Sequence, residues 1–401
     1  MDKENEEERL ELQKNPIKLF WISLFINLSA LSSILTLFYI ERGLSLIEIS
    51  ILGVVISWTI IVLEVPTGII ADRYGGKKTI LSGIFALFIY GIVYIFAKNF
   101  FIFIFGIFFL GLSISLLSGC VTSLIYDSLI GAKKEKEAKK YIGNYRSAAL
   151  IGAIVISPIA SIIAKDLINI QFILLLSINL IGYLVAFIIS LTLKEVSFNR
   201  EVKLRKRDII KKGFSNIIYN KSLRRLTLNH GIGFVAILIF GQIIIQPYLR
   251  DAKVPIFLFG ILYAIINIIL FFIYRISHQI ERIMGKRQTL LLTLFIPGIL
   301  MISLSFITNQ YFSIVSYILI AVLIPLRDPL ISAYKNVYIE SNQRATTISI
   351  ISMIYSLIAI ISQPIIGLIA EINLDYSLIV VGLILILTPI IFRLKESDLK
   401  D

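Results

Sequence analysis

The chain has 401 residues, of which 57% are hydrophobic and only 16% charged, with a mean hydropathy of +0.88; soluble globular domains are roughly 45–50% apolar. This composition argues against a soluble enzyme. The formal net charge of +13 is divided among short basic stretches between apolar runs, not gathered into the continuous patch of a nucleic-acid binder. The single cysteine, Cys120, lies inside an apolar run, where it can form no intrachain disulfide and matches no metal-ligand spacing. No metal and no cofactor are expected.

Residues 1–15 carry Asp2, Glu4, Glu6, Glu7, Glu8 and Glu11. They are the opposite of a basic signal-peptide start and read as a cytosolic N-terminal tail. Apolar segments follow at 17–40, 46–70, 79–97, 100–125, 147–164 and 168–193, numbered here 1 to 6. After a polar stretch, segments 7 to 12 fall at 226–248, 256–276, 289–307, 311–333, 347–370 and 376–392. Each suits a helix crossing about 30 Å of hydrocarbon, whereas a barrel needs shorter segments of alternating polarity. The prediction is an all-α integral membrane protein of twelve transmembrane helices. It comprises a six-helix bundle over 16–193, a basic linker over 194–225, a second bundle over 226–394 and a C-terminal tail over 395–401.

If the N-terminus is cytosolic, only Arg42, Lys98, Lys165, Arg250 and Lys253 fall outside, Arg327 falls within segment 10, and every other Lys and Arg lies inside. The positive-inside bias therefore places both termini in the cytosol of a multi-pass protein of the cell inner (plasma) membrane. The linker, with Ile209, Ile210, Phe214, Ile217 and Ile218 among its bases, reads either as an amphipathic helix on the anionic leaflet or as a solvated connection.

The two halves repeat each other. After segment 2 stands Asp72-Arg73-Tyr74-Gly75-Gly76-Lys77-Lys78, and after segment 8 stands Glu281-Arg282-Ile283-Met284-Gly285-Lys286-Arg287. Segment 5 contains SPIASIIA from Ser157 and segment 11 contains QPIIGLIA from Gln363, at nearly the same separation. A six-plus-six duplication encloses a central pathway in transporters of this kind of symmetry.

The stretch from Gly68 through Asp72 and Arg73 to Gly75, Lys77 and Lys78 resembles the loop 2–3 signature of the major facilitator superfamily, G-x-x-x-D-R-x-G-x-[KR]-[KR]. The resemblance covers nearly the whole chain. It implies a cytosolic gate in which Asp72 caps the start of the segment 11 helix near Ala345, and Arg73 meets a carboxylate, for which Asp127 is the candidate. Gly68 would permit close helix approach and Gly75 a tight turn. Glu281, Arg282 and Arg344 complete the gate set, the second copy lacking the first glycine because Ser277 stands there. The alternative is that these charges only solvate a loop.

By the same resemblance, segments 1, 4, 7 and 10 line the cavity. Candidate substrate contacts are Asn27, Thr36, Ser115, Thr122, Gln242, Gln246, Tyr317 and Arg327, although each Ser or Thr equally suits helix packing. This mostly apolar lining, without a charge near the midplane, fits an amphipathic or hydrophobic solute, since a sugar or amino acid needs several convergent polar groups. Glu64 and Asp328 are the candidate proton sites, Glu64 otherwise bracing the kink at Pro66; His230 is a cap, a core residue or a titrating group. Segment 4 lacks the mid-helix arginine of many proton-coupled members.

The functional expectation is a secondary transporter working by alternating access, coupled to protons or another ion, and exporting small amphipathic compounds. Importing a nutrient or metabolite, or sensing without transport, are the alternatives. The expected partners are a small-molecule substrate, the coupling ion and membrane lipid, with no nucleic acid, and the chain is expected to be a monomer. Neither a metalloprotease H-E-x-x-H, nor a nucleophile elbow, nor a phosphate-binding G-x-x-x-x-G-K-[ST] occurs, so enzyme chemistry and direct ATP drive have no support.

Overall fold

The computed structural model describes residues 2–196, 217, 219–339 and 344–399, and among these every regular element is helical. In the first half lie α1 (Asp2–Ile26), α2 (Leu35–Glu41), α3 (Leu46–Tyr74), α4 (Gly76–Phe96), α5 (Phe100–Gly131), α6 (Ala138–Ile163) and α7 (Asn169–Leu191). In the second lie α8 (Lys221–Ile239), α9 (Ile245–Asp251), α10 (Ile256–Met284), α11 (Lys286–Leu304), α12 (Gln310–Leu323), α13 (Arg327–Val337), α14 (Arg344–Ile372) and α15 (Leu374–Ile391). Large apolar side chains such as Phe101, Ile170 and Ile372 remain more than half exposed, as helices solvated by lipid require.

Eleven stretches among the described residues are long and apolar enough to cross a membrane. Segment 1 is the difference from the expected twelve: it is no continuous helix. The α-helix stops at Ile26 and resumes at Leu35, because small polar side chains take over local hydrogen bonding. Asn27 Nδ2 donates to the Ser23 carbonyl at 2.8 Å, and Ser32 Oγ lies 2.8 Å from Ser29 Oγ. The opened backbone is satisfied from α7, where Asn179 Oδ1 accepts from the Ala30 N–H at 2.8 Å. Irregular backbone at membrane depth survives only with such partners.

Two further interruptions occur. A π turn over Phe240–Ile244 separates α8 from α9, and the chain leaves the α-helix between Leu323 and Arg327, where Pro325 has no N–H to give. All three interruptions fall in segments 1, 7 and 10, three of the four expected to line the cavity. Kinks and π turns concentrate at functional positions because they free backbone groups and redirect side chains.

The chain divides into two compact units, Met1–Leu44 with Val55–Glu201 and Ile256–Ala264, and Ser45–Val54 with Val202–Pro255 and Ile265–Asp401. They are not contiguous in sequence as expected: the first residues of α3 group with the second unit and those of α10 with the first. Nor is the start of the chain a separate tail, since the boundary expected at residue 15 falls inside α1, with Leu12 and Asn15 buried. Most of the linker, including the bases of 203–212 and Ile209, Ile210, Phe214 and Ile218, lies outside the described residues.

Leu19, Ile22, Ile80, Ile84, Val121, Ile125 and Ala186 form the centre of the first unit, joining α1, α4, α5 and α7. In the second unit α11 and α15 meet at Gly298 and Gly382, where a Cβ on either would stand 2.8 or 2.7 Å from the other's carbonyl oxygen. Without glycine at both positions these backbones would have to part.

Candidate functional site

The second unit holds a cluster of charged groups within its membrane-spanning helices. On α13, Asp328 and Lys335 are seven residues apart, two turns, and so share a face with Ile331. Asp328 Oδ1 lies 2.8 Å from His230 Nε2 of α8. His230 Nδ1 lies 2.9 Å from the Tyr355 hydroxyl of α14, and Lys335 Nζ donates to that same hydroxyl at 2.9 Å. Lys335 Nζ also lies 3.4 Å from His230 Nδ1. The His230 side chain is 9% exposed, whereas that of Asp328 is 43% exposed, so the carboxylate is the accessible end of the chain.

Glycine makes the closeness possible. A Cβ at Gly231 would stand 2.6 Å from Tyr355 Cδ1, and one at Gly233 would stand 3.1 Å from Arg327 Nη1. Arg327 is fully buried. Its Nη2 donates to Asn229 Oδ1, while Nε and Nη1 have no hydrogen-bond partner among the described residues. Asn229 Nδ2 in turn donates to the Phe392 carbonyl at 3.1 Å.

At the start of α4, Gly75 turns the chain with φ of 92°, a conformation that glycine adopts without strain. The N–H groups of Gly76 and Lys77 then point at one carboxylate, Glu195, each at 2.9 Å. Such a cap satisfies two helix-terminal donors and places negative charge at the positive end of the helix. Glu195 is itself placed by Asn15, fully buried in α1. Asn15 Nδ2 donates to Ser128 Oγ and to the Lys194 carbonyl, both at 2.8 Å, and Asn15 Oδ1 accepts the Lys194 N–H at 3.0 Å.

The residues expected to form the gate are placed as follows. The side chains of Asp72 and Arg344 lie outside the described residues, so the cap of Asp72 near Ala345 lies outside them as well. Arg73 is exposed, 5.4 Å from the centroid of the Tyr74 ring. No Arg73–Asp127 pair is found among the described ion pairs; Asp127 is half-buried on α5 and Arg73 is exposed at the end of α3. Within 4 Å of a Cβ at Gly68 there is no atom of another described element, so among the described residues this glycine makes no close helix contact. Glu281 accepts the Tyr334 hydroxyl, and Arg282 is exposed. Lys77 is half-buried and Lys78 exposed.

Of the expected cavity residues, Ser115 Oγ donates to the Gly111 carbonyl and Thr122 Oγ1 to that of Gly119, both within their own helix. Asn27 is occupied by the break in segment 1. Thr36 and Gln246 are buried, Gln242 is exposed, and the Tyr317 ring lies 6.2 Å from that of Phe240. Glu64 is half-buried and enters no ion pair among the described residues, unlike Asp328.

The sequence pattern of the Major Facilitator Superfamily matches residues 20–326. The chain belongs to this superfamily. A protein of Bacillus subtilis (strain 168), described as an uncharacterized MFS-type transporter YxaM, is 27% identical over 94% of this chain and 98% of its own length. Among solved structures, the nucleoside transporter NupG is similar with a TM-score of 0.77 at 12% identity, over 98% of this chain and 99% of the other. The D-xylose-proton symporter reaches a TM-score of 0.71 at 12% identity, over 96% and 97% of the two chains. At these identities the likeness to solved structures shows the major facilitator fold alone. The protein is an integral membrane transporter of that superfamily, not a member of an enzyme family.

Four residues of these clusters escape sequence reading: Lys335, Tyr355, Glu195 and Asn15. Lys335 lies just past the apolar run ending at Ala333 and reads as a loop base, yet its seven-residue spacing from Asp328 was visible. For Glu195 the signal was a third internal repeat, Leu193-Lys194-Glu195 against Leu394-Lys395-Glu396. Tyr355 and Asn15 are single polar residues in helices and left no pattern.

Proposed function

We propose that this protein is a proton-coupled secondary transporter working by alternating access. The observation that carries the reading is the chain Asp328, His230, Tyr355, Lys335 inside the membrane-spanning part of the second unit. Ionisable groups are costly there and persist where they move ions or bind solutes. With the His230 proton on Nε2, Asp328 accepts from it, Nδ1 accepts from the Tyr355 hydroxyl, and that hydroxyl accepts from Lys335. A proton arriving at the exposed Asp328 carboxylate removes its charge and with it the partner of His230. The whole chain then reorganises, which is how protonation selects between states of different stability.

Export of small amphipathic compounds against proton entry is the leading direction, supported by the apolar lining and by Ser115 and Thr122 being spent on their own helices. Proton symport of a polar or anionic solute is the second reading, favoured by the buried Lys335, which supplies a counter-charge the sequence had placed in a loop. Proteoliposomes loaded with a pH-sensitive dye separate the two. With an inward proton gradient imposed, a substrate that leaves the lumen while protons enter marks antiport, and a substrate that enters with them marks symport. Absence of substrate-dependent proton flux in wild type, with Asp328→Asn indistinguishable from it in substrate flux, would sink the coupling role.

A further inference from the structure

Behind the charged cluster lies a cavity of about 360 Å³ in the second unit, lined by Asn229, Arg287, Arg393 and the apolar Leu290, Leu291, Pro389, Ile390 and Leu394. Its two arginines stand at corresponding ends of two neighbouring spans, Arg287 in the first turn of α11 and Arg393 just beyond α15. Both are exposed, and neither enters an ion pair among the described residues. Asn229, at the base, is bonded to the fully buried Arg327, whose Nε and Nη1 have no hydrogen-bond partner among the described residues. Three guanidinium groups thus surround or back one cleft whose described lining includes no carboxylate.

In the first unit Glu195 supplies a carboxylate to the first N–H groups of α4 after the turn at Gly75; in the second, Gly285 makes the same turn before α11, with φ of 86°. In the repeat of that motif, Glu396 is exposed and Asp398 turns instead to Ser222 and Arg225. The described lining of the cleft in the second unit is thus two arginines around an apolar floor.

We infer that this cleft binds the phosphate-bearing headgroup of an anionic membrane phospholipid. Arginine offers paired N–H donors that match phosphate oxygens two at a time. The floor is apolar, and Ile390 on α15 is 63% exposed, which leaves an apolar surface beside the mouth along which acyl chains can continue. A soluble phosphate would use the arginines alone; a lipid uses both chemistries, and basic pockets between helices at a leaflet boundary suit it.

The test is native mass spectrometry and thermal unfolding of the full-length protein in neutral detergent, titrated separately with phosphatidylglycerol, phosphatidylcholine and glycerol 3-phosphate. Phosphatidylglycerol is expected to remain bound and raise the apparent Tm saturably. Arg287→Gln/Arg393→Gln should weaken it about thirtyfold, two basic contacts at roughly tenfold or less each. Lys134→Gln/Lys136→Gln, exposed lysines removing the same charge elsewhere, should leave it unchanged. If the glutamine pair fails to fold, Arg287→Lys/Arg393→Lys keeps the charge and should still bind more weakly than wild type. Equal response to phosphatidylcholine, equal stabilisation by glycerol 3-phosphate, or equal loss in the lysine control would each overturn the assignment.

Discussion

His230 and Asp328 meet at 2.8 Å between α8 and α13, and this contact joins an exposed carboxylate to a buried imidazole. Asp328→Asn keeps the shape and removes the charge that a proton would neutralise. Substrate-driven proton movement in dye-loaded proteoliposomes should fall to background, while exchange of labelled for unlabelled substrate across the same membrane persists. Equal loss of both activities would point to a structural role for Asp328.

Tyr355→Phe removes the one hydroxyl shared by His230 and Lys335 while leaving the ring against Gly231. Net proton-coupled flux should fall and exchange should survive, but less completely than in Asp328→Asn, since Lys335 Nζ is already 3.4 Å from His230 Nδ1. Gly231→Ala should instead destabilise the protein, because its Cβ would stand 2.6 Å from Tyr355; overpacking of this kind costs about 1–3 kcal/mol. Unfolding followed in detergent distinguishes the two variants.

Asn15→Ala deletes hydrogen bonds to Ser128 Oγ, the Lys194 carbonyl and the Lys194 N–H together. Buried donors and acceptors left without partners cost about 1–3 kcal/mol each, so the apparent Tm should drop more than in Glu195→Gln, which weakens one helix cap by about 1 kcal/mol. Were Glu195→Gln the more damaging, the order of support from Asn15 to Lys194 to Glu195 would be wrong.

At the other end of the chain, burial raises the Asp398 carboxyl, but the Ser222 hydroxyl, the Lys395 N–H and Arg225 outweigh it and hold the group below the ordinary carboxylate range. The C-terminal tail expected over 395–401 is, in its described part, thereby folded back: Leu394 and Leu399 are buried with Leu226 and Tyr334, and the Leu399 carbonyl accepts from Lys286 at 3.1 Å. A carboxyl held lower when folded than when unfolded contributes stability that is fully present above about pH 4 and is lost as the pH falls through the folded value. Asp398→Asn should therefore lower the apparent Tm at neutral pH, and its difference from wild type should close as the pH falls below about 4. A gap independent of pH would mean that Asp398 acts without its charge.

The membrane helices were legible because hydrophobic length is a coarse property that tertiary contacts do not override. The break inside segment 1 is hidden for the same reason: its average hydropathy is that of a span, while Asn27, Ser29 and Ser32 act locally to open it. The glycine turn at Gly75 could be read from its motif, but the carboxylate that fills it comes from the far end of the bundle, and only the repeated Leu-Lys-Glu hinted at Glu195. The charged cluster was half legible. Asp328 and His230 stood out as ionisable residues in apolar runs, whereas Lys335 and Tyr355 became visible only when three helices brought them to one hydroxyl.

The π turn at Phe240–Ile244 carries a wider consequence. Its i to i+5 hydrogen bonding absorbs one residue more than a regular α-helix of the same rise would hold. One residue is about 100° of helical rotation, so the face that α9 presents, with Gln246 and Tyr248, is set by a single inserted position. Losing one residue there, at the exposed Gly241 for instance, would turn that face about the axis while the hydrogen-bond ladder closed behind it. Descendants of this chain can thus exchange the side chains shown by half a span through one codon gained or lost, with no substitution in the face itself.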